Sequence, residues 1–371
     1  MRIAMFGQKR IPSREGGVEI VVEELSTRMV ALGQEVTCYN RGGRYIRGVQ
    51  SNRKQEKCYK GVRIQTVPTL DKKGFAAVTS SFFAALMVSF SRAEVVHIHA
   101  EGPAFMCWIP KLFGKKVIVT VHGLDWQREK WKQGFGSKYI HMGERIAVKF
   151  ADEIIVLSRN MQQYFQDTYG RKTTWIPNGV SAPEILPAQK ITEEYGLKKD
   201  EYLLFLGRLV PEKGIHYLIE AFQNIKTDKK LVIAGGISDS REYADKLKVM
   251  AAGDERILFT GFVQERILEE LYSNAWVYVL PSDVEGMPLS LLEAMSYGNC
   301  CLTSDIPECA EVVEDYTMIF PKGNVAGLTA ALQQLCDEPG RVMRYKQTIR
   351  DYVCKKYNWD KVTEETLELY R

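Results

Sequence analysis

The sequence predicts an α/β protein made of two Rossmann-like domains with a cleft between them. Three observations carry that expectation. Short runs rich in Val, Ile and aromatic residues alternate with amphipathic stretches from end to end, the pattern of βα units and parallel sheets. With 371 residues the chain is long enough for two separate cores. Near its middle, residues 181–190 carry two prolines and no apolar period, which reads as a linker. The boundary expected from this is a first domain over 1–185 and a second over 186–358.

In the first half, strands are expected at 2–6, 35–39, 62–67, 95–99, 117–121, 153–157 and 173–176. Between the first two strands, Val18, Val21, Val22, Leu25, Met29 and Leu32 recur at helical spacing, and Gly33 marks the end of that helix. The uncharged stretch 74–91 barely reaches the length of a membrane span and carries Thr79, Ser80, Ser81 and Ser89. It reads as a buried helix packed on a sheet. Ile176-Pro-Asn-Gly-Val180 closes this half. The second half repeats the plan, with strands at 202–206, 230–234, 256–260, 276–280 and 300–303 and an amphipathic terminal helix over 359–371.

Apolar residues make up 45% and charged residues 26%, as in an ordinary soluble globular protein. The opening apolar run is too short for a signal peptide. Eight cysteines show no Cys-x-x-Cys pair, so reduced structural thiols and a cytoplasmic setting are expected. Cys300, Cys301 and Cys309 read as small buried residues rather than metal ligands. No Asp-x-Asp pair is present, and no metal or other cofactor is expected. Charge is uneven: residues 1–185 hold 28 Lys and Arg against 16 Asp and Glu, net +12, and the remainder hold 22 against 30, net −8. Residues 41–63 alone contain eight bases and one acid, Glu56. Such a patch suits an anionic membrane surface or a solvated loop; no nucleic-acid recognition motif accompanies it.

Chemistry concentrates in four places. Glu285-Gly-Met-Pro-Leu-Ser-Leu-Leu-Glu293 sets one carboxylate in the loop after a strand and another inside the following helix, beside a helix start suited to anions. Arg208 and Lys213 stand where another strand passes into a helix start, and could hold a diphosphate. Gly16 and Gly17 open the first helix and let backbone N–H groups approach a phosphate or sugar, although Gly-x-Gly-x-x-Gly is not formed. His122 follows the buried strand 117–121. Of His97 and His99, at alternating positions, one is expected to be buried, and His99 with Glu101-Gly102-Pro103 is expected to line an acceptor side. Trp126, Arg128 and Trp131 could form a wall for a sugar ring.

The Glu285–Glu293 stretch resembles the E-x7-E signature of the retaining glycosyltransferases of family four, the glycosyl transferases group 1, of GT-B fold. Gly207-Arg208-Leu-Val-Pro-Glu-Lys213-Gly214 is similar to that family's G-R-x-x-x-x-K-G motif. The resemblance implies a donor that is a nucleoside diphosphate sugar, UDP-linked, whose departing phosphates Arg208 and Lys213 neutralise. It implies that Glu285 holds donor-sugar hydroxyls, Glu293 the ribose hydroxyls, and that His122 touches the donor sugar or assists the acceptor. Gly16 and Gly17 match the family's glycine-rich loop, and the terminal helix would cross back to the first domain. A glycan or lipid-linked acceptor in polysaccharide biosynthesis is implied, residues 14–39 being similar to a bacterial surface-polysaccharide subgroup. The expected place is the cytoplasm or the cytoplasmic membrane face. One departure is Gly235-Gly236-Ile237-Ser238 where many members have Gly-x-Gly. An epimerase or hydrolase on the same fold, and a non-catalytic sugar-nucleotide sensor, remain as alternatives.

Overall fold

A computed structural model describes residues 1–43, 57–70, 72, 75–127, 135–237 and 241–371. The chain forms two compact units, one comprising Met1–Asn178 with Trp359–Arg371 and the other Gly179–Asn358. The division falls ahead of the proline-bearing segment 181–190.

The first unit's sheet contains β1 (Arg2–Phe6), β2 (Glu35–Arg41), β3 (Cys58–Tyr59), β4 (Val62–Val67), β5 (Val95–His99), β6 (Lys116–Val121), β7 (Glu153–Val156) and β8 (Thr174–Trp175). Their order is β3-β4-β2-β1-β5-β6-β7-β8, all parallel except the β3–β4 pair. The register opens with Arg2 opposite Glu35 and Ile3 opposite Val95. The two-residue β3 has no counterpart in the sequence reading, being too short for any period to show.

Helix Gly17–Ala31 buries Val21, Val22, Leu25 and Met29 as its spacing predicts, and Gly33 follows in the left-handed region at φ +79°. Leu32, past the helix end, is exposed instead. Helix Trp359–Tyr370 packs on Gly17–Ala31, with Arg28 Nε donating to Asp360 Oδ1 at 2.8 Å. Helix Phe75–Ser89 packs on the sheet as expected, but it is buried on one face only. Only its small residues, among them Ser80, Ser81, Ala84, Ala85 and Val88, are buried, and its aromatic side faces solvent.

The second unit's sheet contains β9 (Tyr202–Leu206), β10 (Lys230–Ala234), β11 (Ile257–Gly261), β12 (Val277–Leu280), β13 (Cys300–Ser304) and β14 (Met318–Phe320). It is wholly parallel, in the order β11-β10-β9-β12-β13-β14. That is the doubly wound order in which the chain lays strands on one side of β9, then returns to the other side at β12. The same reversal occurs in the first unit between β1 and β5. Because helices cover both faces, the central strands β5, β6, β9, β12 and β13 are buried almost throughout. Cys300, Cys301 and Cys309 are buried free thiols, Cys309 lying in helix Pro307–Val313 and not in a strand. Burial pushes the Cys300 thiol up to about 12, which suits a packing role. Among the described residues no helix is long and apolar enough to cross a membrane. The basic stretch 41–63 lies mostly outside the described residues.

Candidate active site

In the second unit the loops after β9 and β12 emerge side by side because those strands are neighbours at the reversal point. After β9 the chain runs through Gly207 and Arg208 into a tight turn at Pro211–Lys213, and Gly214 then opens helix Ile215–Gln223. Gly214 has φ +65°, and a Cβ there would lie 2.0 Å from the Pro281 carbonyl oxygen, so only glycine lets the two loops pack. Asp283 N donates to Glu212 O at 2.8 Å and ties the loops together.

This packing brings predicted residues into contact. Lys213 Nζ donates to Glu285 Oε1 at 2.5 Å, and Ser282 Oγ donates to the same oxygen at 2.6 Å. Both partners of the ion pair are largely buried, with side-chain exposures of 14% and 9%. Arg208, by contrast, makes no ion pair among the described residues and stands half-buried at the strand end. The pair holds Glu285 in place, and Arg208 remains a cation with charge to offer an incoming anion.

Glu293 lies in helix Leu289–Ser296, where it accepts from the Tyr272 hydroxyl at 3.2 Å. One turn nearer the helix start, Ser290 Oγ lies 2.9 Å from the Tyr278 hydroxyl, itself 3.2 Å from Leu206 O. Burial and the Glu293 charge push the Tyr272 hydroxyl well up, so it stays a donor. In Gly235-Gly236-Ile237, where many members have Gly-x-Gly, the first glycine is the one the backbone requires. A Cβ on Gly235 would lie 1.8 Å from Gly207 O, so the loop after β10 passes backbone to backbone against the strand end that carries Arg208. Ser238 lies outside the described residues.

Ser282, Ser290 and Tyr272 were missed in the sequence. Ser282 reads there only as part of the Pro281-Ser-Asp break. Its offset of three residues before Glu285 is the one signal that could have found it. Tyr272 belongs to helix Glu265–Asn274, and nothing local in sequence links it to Glu293.

In the first unit, β1, β5 and β6 end together. Gly7 after β1 has φ +120°, and a Cβ on it would lie 2.1 Å from His99 O. His99 Nδ1 lies 3.0 Å from His122 Nε2, so the predicted His122 is held from below by the strand next to its own. His97 Nε2 contacts Thr120 Oγ1 at 2.7 Å, and its Nδ1 lies 2.6 Å from the Tyr370 hydroxyl of the terminal helix.

Both His97 and His99 are fully buried, correcting the expectation that only one would be. β5 is a central strand covered on both faces, so alternation cannot expose either. Burial first, and the neighbouring imidazoles second, lower His97 to about 3 and His99 well below its ordinary value. Both rings are therefore neutral near pH 7. The buried His99 Nε2 has no hydrogen-bond partner. An orphaned lone pair costs less than an orphaned N–H, so the His99 proton belongs on Nδ1, donated to His122 Nε2.

Glu101 is 1% exposed and accepts from Asp125 N at 2.9 Å. It braces the turn after His122 and does not line an open surface. Burial, then the adjacent buried Glu144, push its carboxyl well above the usual range. Trp126 stacks on His141, with centroids 4.9 Å apart, so one of its ring faces is already covered. Arg128 and Trp131 lie outside the described residues. Gly16 caps helix Gly17–Ala31 with an extended backbone and no side-chain bond, which puts Gly16 and Gly17 at that helix's amino terminus. Glu19 of the first turn accepts from Lys9 N at 2.8 Å and fixes the preceding loop.

Residues 188–352 match the family model described as Glycosyl transferases group 1, and residues 15–182 match that of Glycosyltransferase Family 4. The alpha-maltose-1-phosphate synthase of Mycolicibacterium smegmatis is 26% identical over 405 residues, spanning 100% of this chain and 99% of that protein. Sucrose-phosphate synthase from Thermosynechococcus elongatus superposes with a TM-score of 0.84 at 21% identity, covering 100% of this chain and 98% of that one. Anabaena HepE, solved in complex with UDP and glucose, gives a TM-score of 0.80 at 13% identity over 99% of this chain and 98% of its own. These structures share the fold, the two Rossmann-like α/β domains of the GT-B class.

Proposed function

We propose that this chain, which belongs to the glycosyl transferases of group 1, moves a sugar from a UDP-linked donor to a hydroxyl of a glycan or lipid-linked acceptor, with retention at the anomeric carbon. The observation that carries the reading is the grouping of Arg208, Lys213 and Glu285 at the reversal point of the second sheet. There the two cations suit the diphosphate and Glu285 suits the donor sugar's hydroxyls. The bond broken is that between the anomeric carbon and the diphosphate oxygen, which leaves with the electron pair. Arg208 and Lys213 would offset its growing charge, the work a metal ion does elsewhere, so the reaction is proposed to need no metal. The acceptor oxygen bonds to the same face of that carbon, and its proton passes to the leaving phosphate. Glu293 would hold the ribose hydroxyls, and Gly16 and Gly17 would approach the donor or acceptor through backbone N–H groups.

His122 is proposed to touch the donor sugar or to assist the acceptor. A neutral His99 donating to its Nε2 would fix the ring's orientation, as second partners do for functional imidazoles generally. The test begins with thermal stabilisation by a panel of nucleotide sugars. The best donor is then assayed with a membrane lipid extract and with soluble glycans, and the product's anomeric configuration is read by NMR. Transfer with retention supports the proposal. Release of free sugar or of an epimer without acceptor would place the chain with the hydrolases or epimerases, and tight binding without any turnover would make it a sensor.

A further inference from the structure

Helix Phe75–Ser89 is built the wrong way round for a helix that belongs only to its own domain. Its inner face is small and hydroxylic, with Ser80, Ser81 and Ser89 satisfied by donating to Ala77 O and Ala85 O at 2.7–3.0 Å. Its outer face carries the aromatic residues. Phe75 is 62% exposed, Phe82 and Phe83 are exposed beside each other, and Phe90 just past the end is 76% exposed. The neighbouring helix Trp108–Leu112 extends the same surface, with Leu112 71% exposed and Phe113 in edge contact with Phe90 at 4.9 Å. A soluble surface scatters such residues singly; a contiguous aromatic patch marks something that covers it.

The charge around the patch identifies what covers it. Residues 72–93 and 102–124 contain six bases and no Asp or Glu. Lys72 and Arg92 are exposed at the two ends of the helix. Asp71 and Glu94 bound the first of these stretches, and Glu94 is engaged by Arg2, whose N donates to it at 2.7 Å. A protein partner or second copy is ordinarily met by a rim of both signs. Lys111 is paired with Asp152 and Lys115 is held by Ser91 O and Ala93 O, which leaves Lys72 and Arg92 as the exposed charges at the helix ends; an apolar face with an excess of bases at its edge matches the acyl boundary and headgroups of an anionic bilayer. At 15 residues the helix is too short to span and can lie in the interface.

We propose that the face formed by helices Phe75–Ser89 and Trp108–Leu112 docks on an anionic lipid bilayer, its aromatic residues entering the interface and Lys72 and Arg92 meeting the headgroups. The proposal does not depend on the donor-site reading. It is tested by co-sedimentation of the full chain with vesicles of phosphatidylcholine alone and of phosphatidylcholine mixed with phosphatidylglycerol, at low and high salt. Wild-type protein is expected to bind the mixed vesicles, more weakly as salt rises. Phe90→Ser with Leu112→Ser should lower partitioning by at least about tenfold. Lys72→Gln with Arg92→Gln should lower it by roughly fivefold per base, and only on the anionic vesicles. All variants should keep wild-type UDP affinity and melting temperature. The proposal is overturned by wild-type protein that binds neither vesicle, or by the serine variant binding as well as wild type. A dimer in sedimentation velocity that the serine variant converts to monomer would also overturn it, the face then being a self-association surface.

Discussion

The two units reverse their strand order in the same way, yet fill the reversal point with opposite chemistry. In the first, β1 and β5 meet at buried neutral imidazoles, with His97 and His99 at 0% exposure and a hydrogen bond passing out from His99 to His122. In the second, β9 and β12 meet at full charges, the buried Lys213–Glu285 pair and an Arg208 with no counter-ion among the described residues. One frame thus supports two kinds of electrostatics. A low-polarity pocket suits orienting a ring and receiving an uncharged sugar or hydroxyl, and a charged pocket suits a diphosphate.

The comparison can be broken at several points. The largest expected effect is Glu285→Gln, which removes the carboxylate without changing its shape. Turnover should fall by on the order of a hundredfold or more, with donor affinity changed far less. Steady-state kinetics with the identified donor check this, and equal losses in affinity and turnover would assign Glu285 to ground-state binding. Next comes Lys213→Ala, which leaves a buried carboxylate without its partner. Stability should drop by about 3 kcal/mol. Urea unfolding measures it, and Lys213→Ala with Glu285→Gln should recover most of the loss; additive losses would show the two do not act as a pair.

The neutral imidazoles of the first unit give a pH prediction. A histidine lowered from 6.5 to about 3 contributes stability that is present above 6.5 and is lost as pH falls from there toward 3. Thermal unfolding should therefore weaken across that acid window, and His97→Gln should flatten the profile. An unchanged profile in that variant would mean His97 does not carry the acid sensitivity. The smallest effect is Glu293→Gln, which keeps a weaker acceptor for Tyr272 and should cost roughly 1 kcal/mol of UDP affinity by calorimetry.

Strands and their alternation with helices were legible because parallel strands buried on both faces read as continuous apolar runs. That Arg208 and Lys213 follow one strand end, and Glu285 and Glu293 another, was legible because each pair is close in sequence to the strand that positions it. Contacts made across strand neighbours were not. That His99 would orient His122 depends on β5 and β6 being adjacent, and that Lys213 would pair with Glu285 depends on β9 and β12 being adjacent. Sheet order cannot be seen in a local pattern. The outward aromatic face of helix Phe75–Ser89 misled for a related reason: an uncharged helix whose polar residues are small hydroxyls, able to bond to its own backbone, gives no sign of which face is inside.

The central claim is that the second unit binds the diphosphate and the first presents the reactive ring. Calorimetric titration of UDP into wild type, Arg208→Ala and His122→Ala, paired with transfer assays on the same samples, tests it directly. Arg208 makes no ion pair among the described residues, so its alanine variant should keep the wild-type melting temperature. Its UDP affinity should fall by about 1.5–3 kcal/mol, the worth of a charge-assisted hydrogen bond. His122→Ala should bind UDP as wild type does and lose transfer. Wild-type UDP affinity in Arg208→Ala, or a loss of UDP affinity in His122→Ala equal to that expected for Arg208→Ala, would contradict the division of labour between the two units.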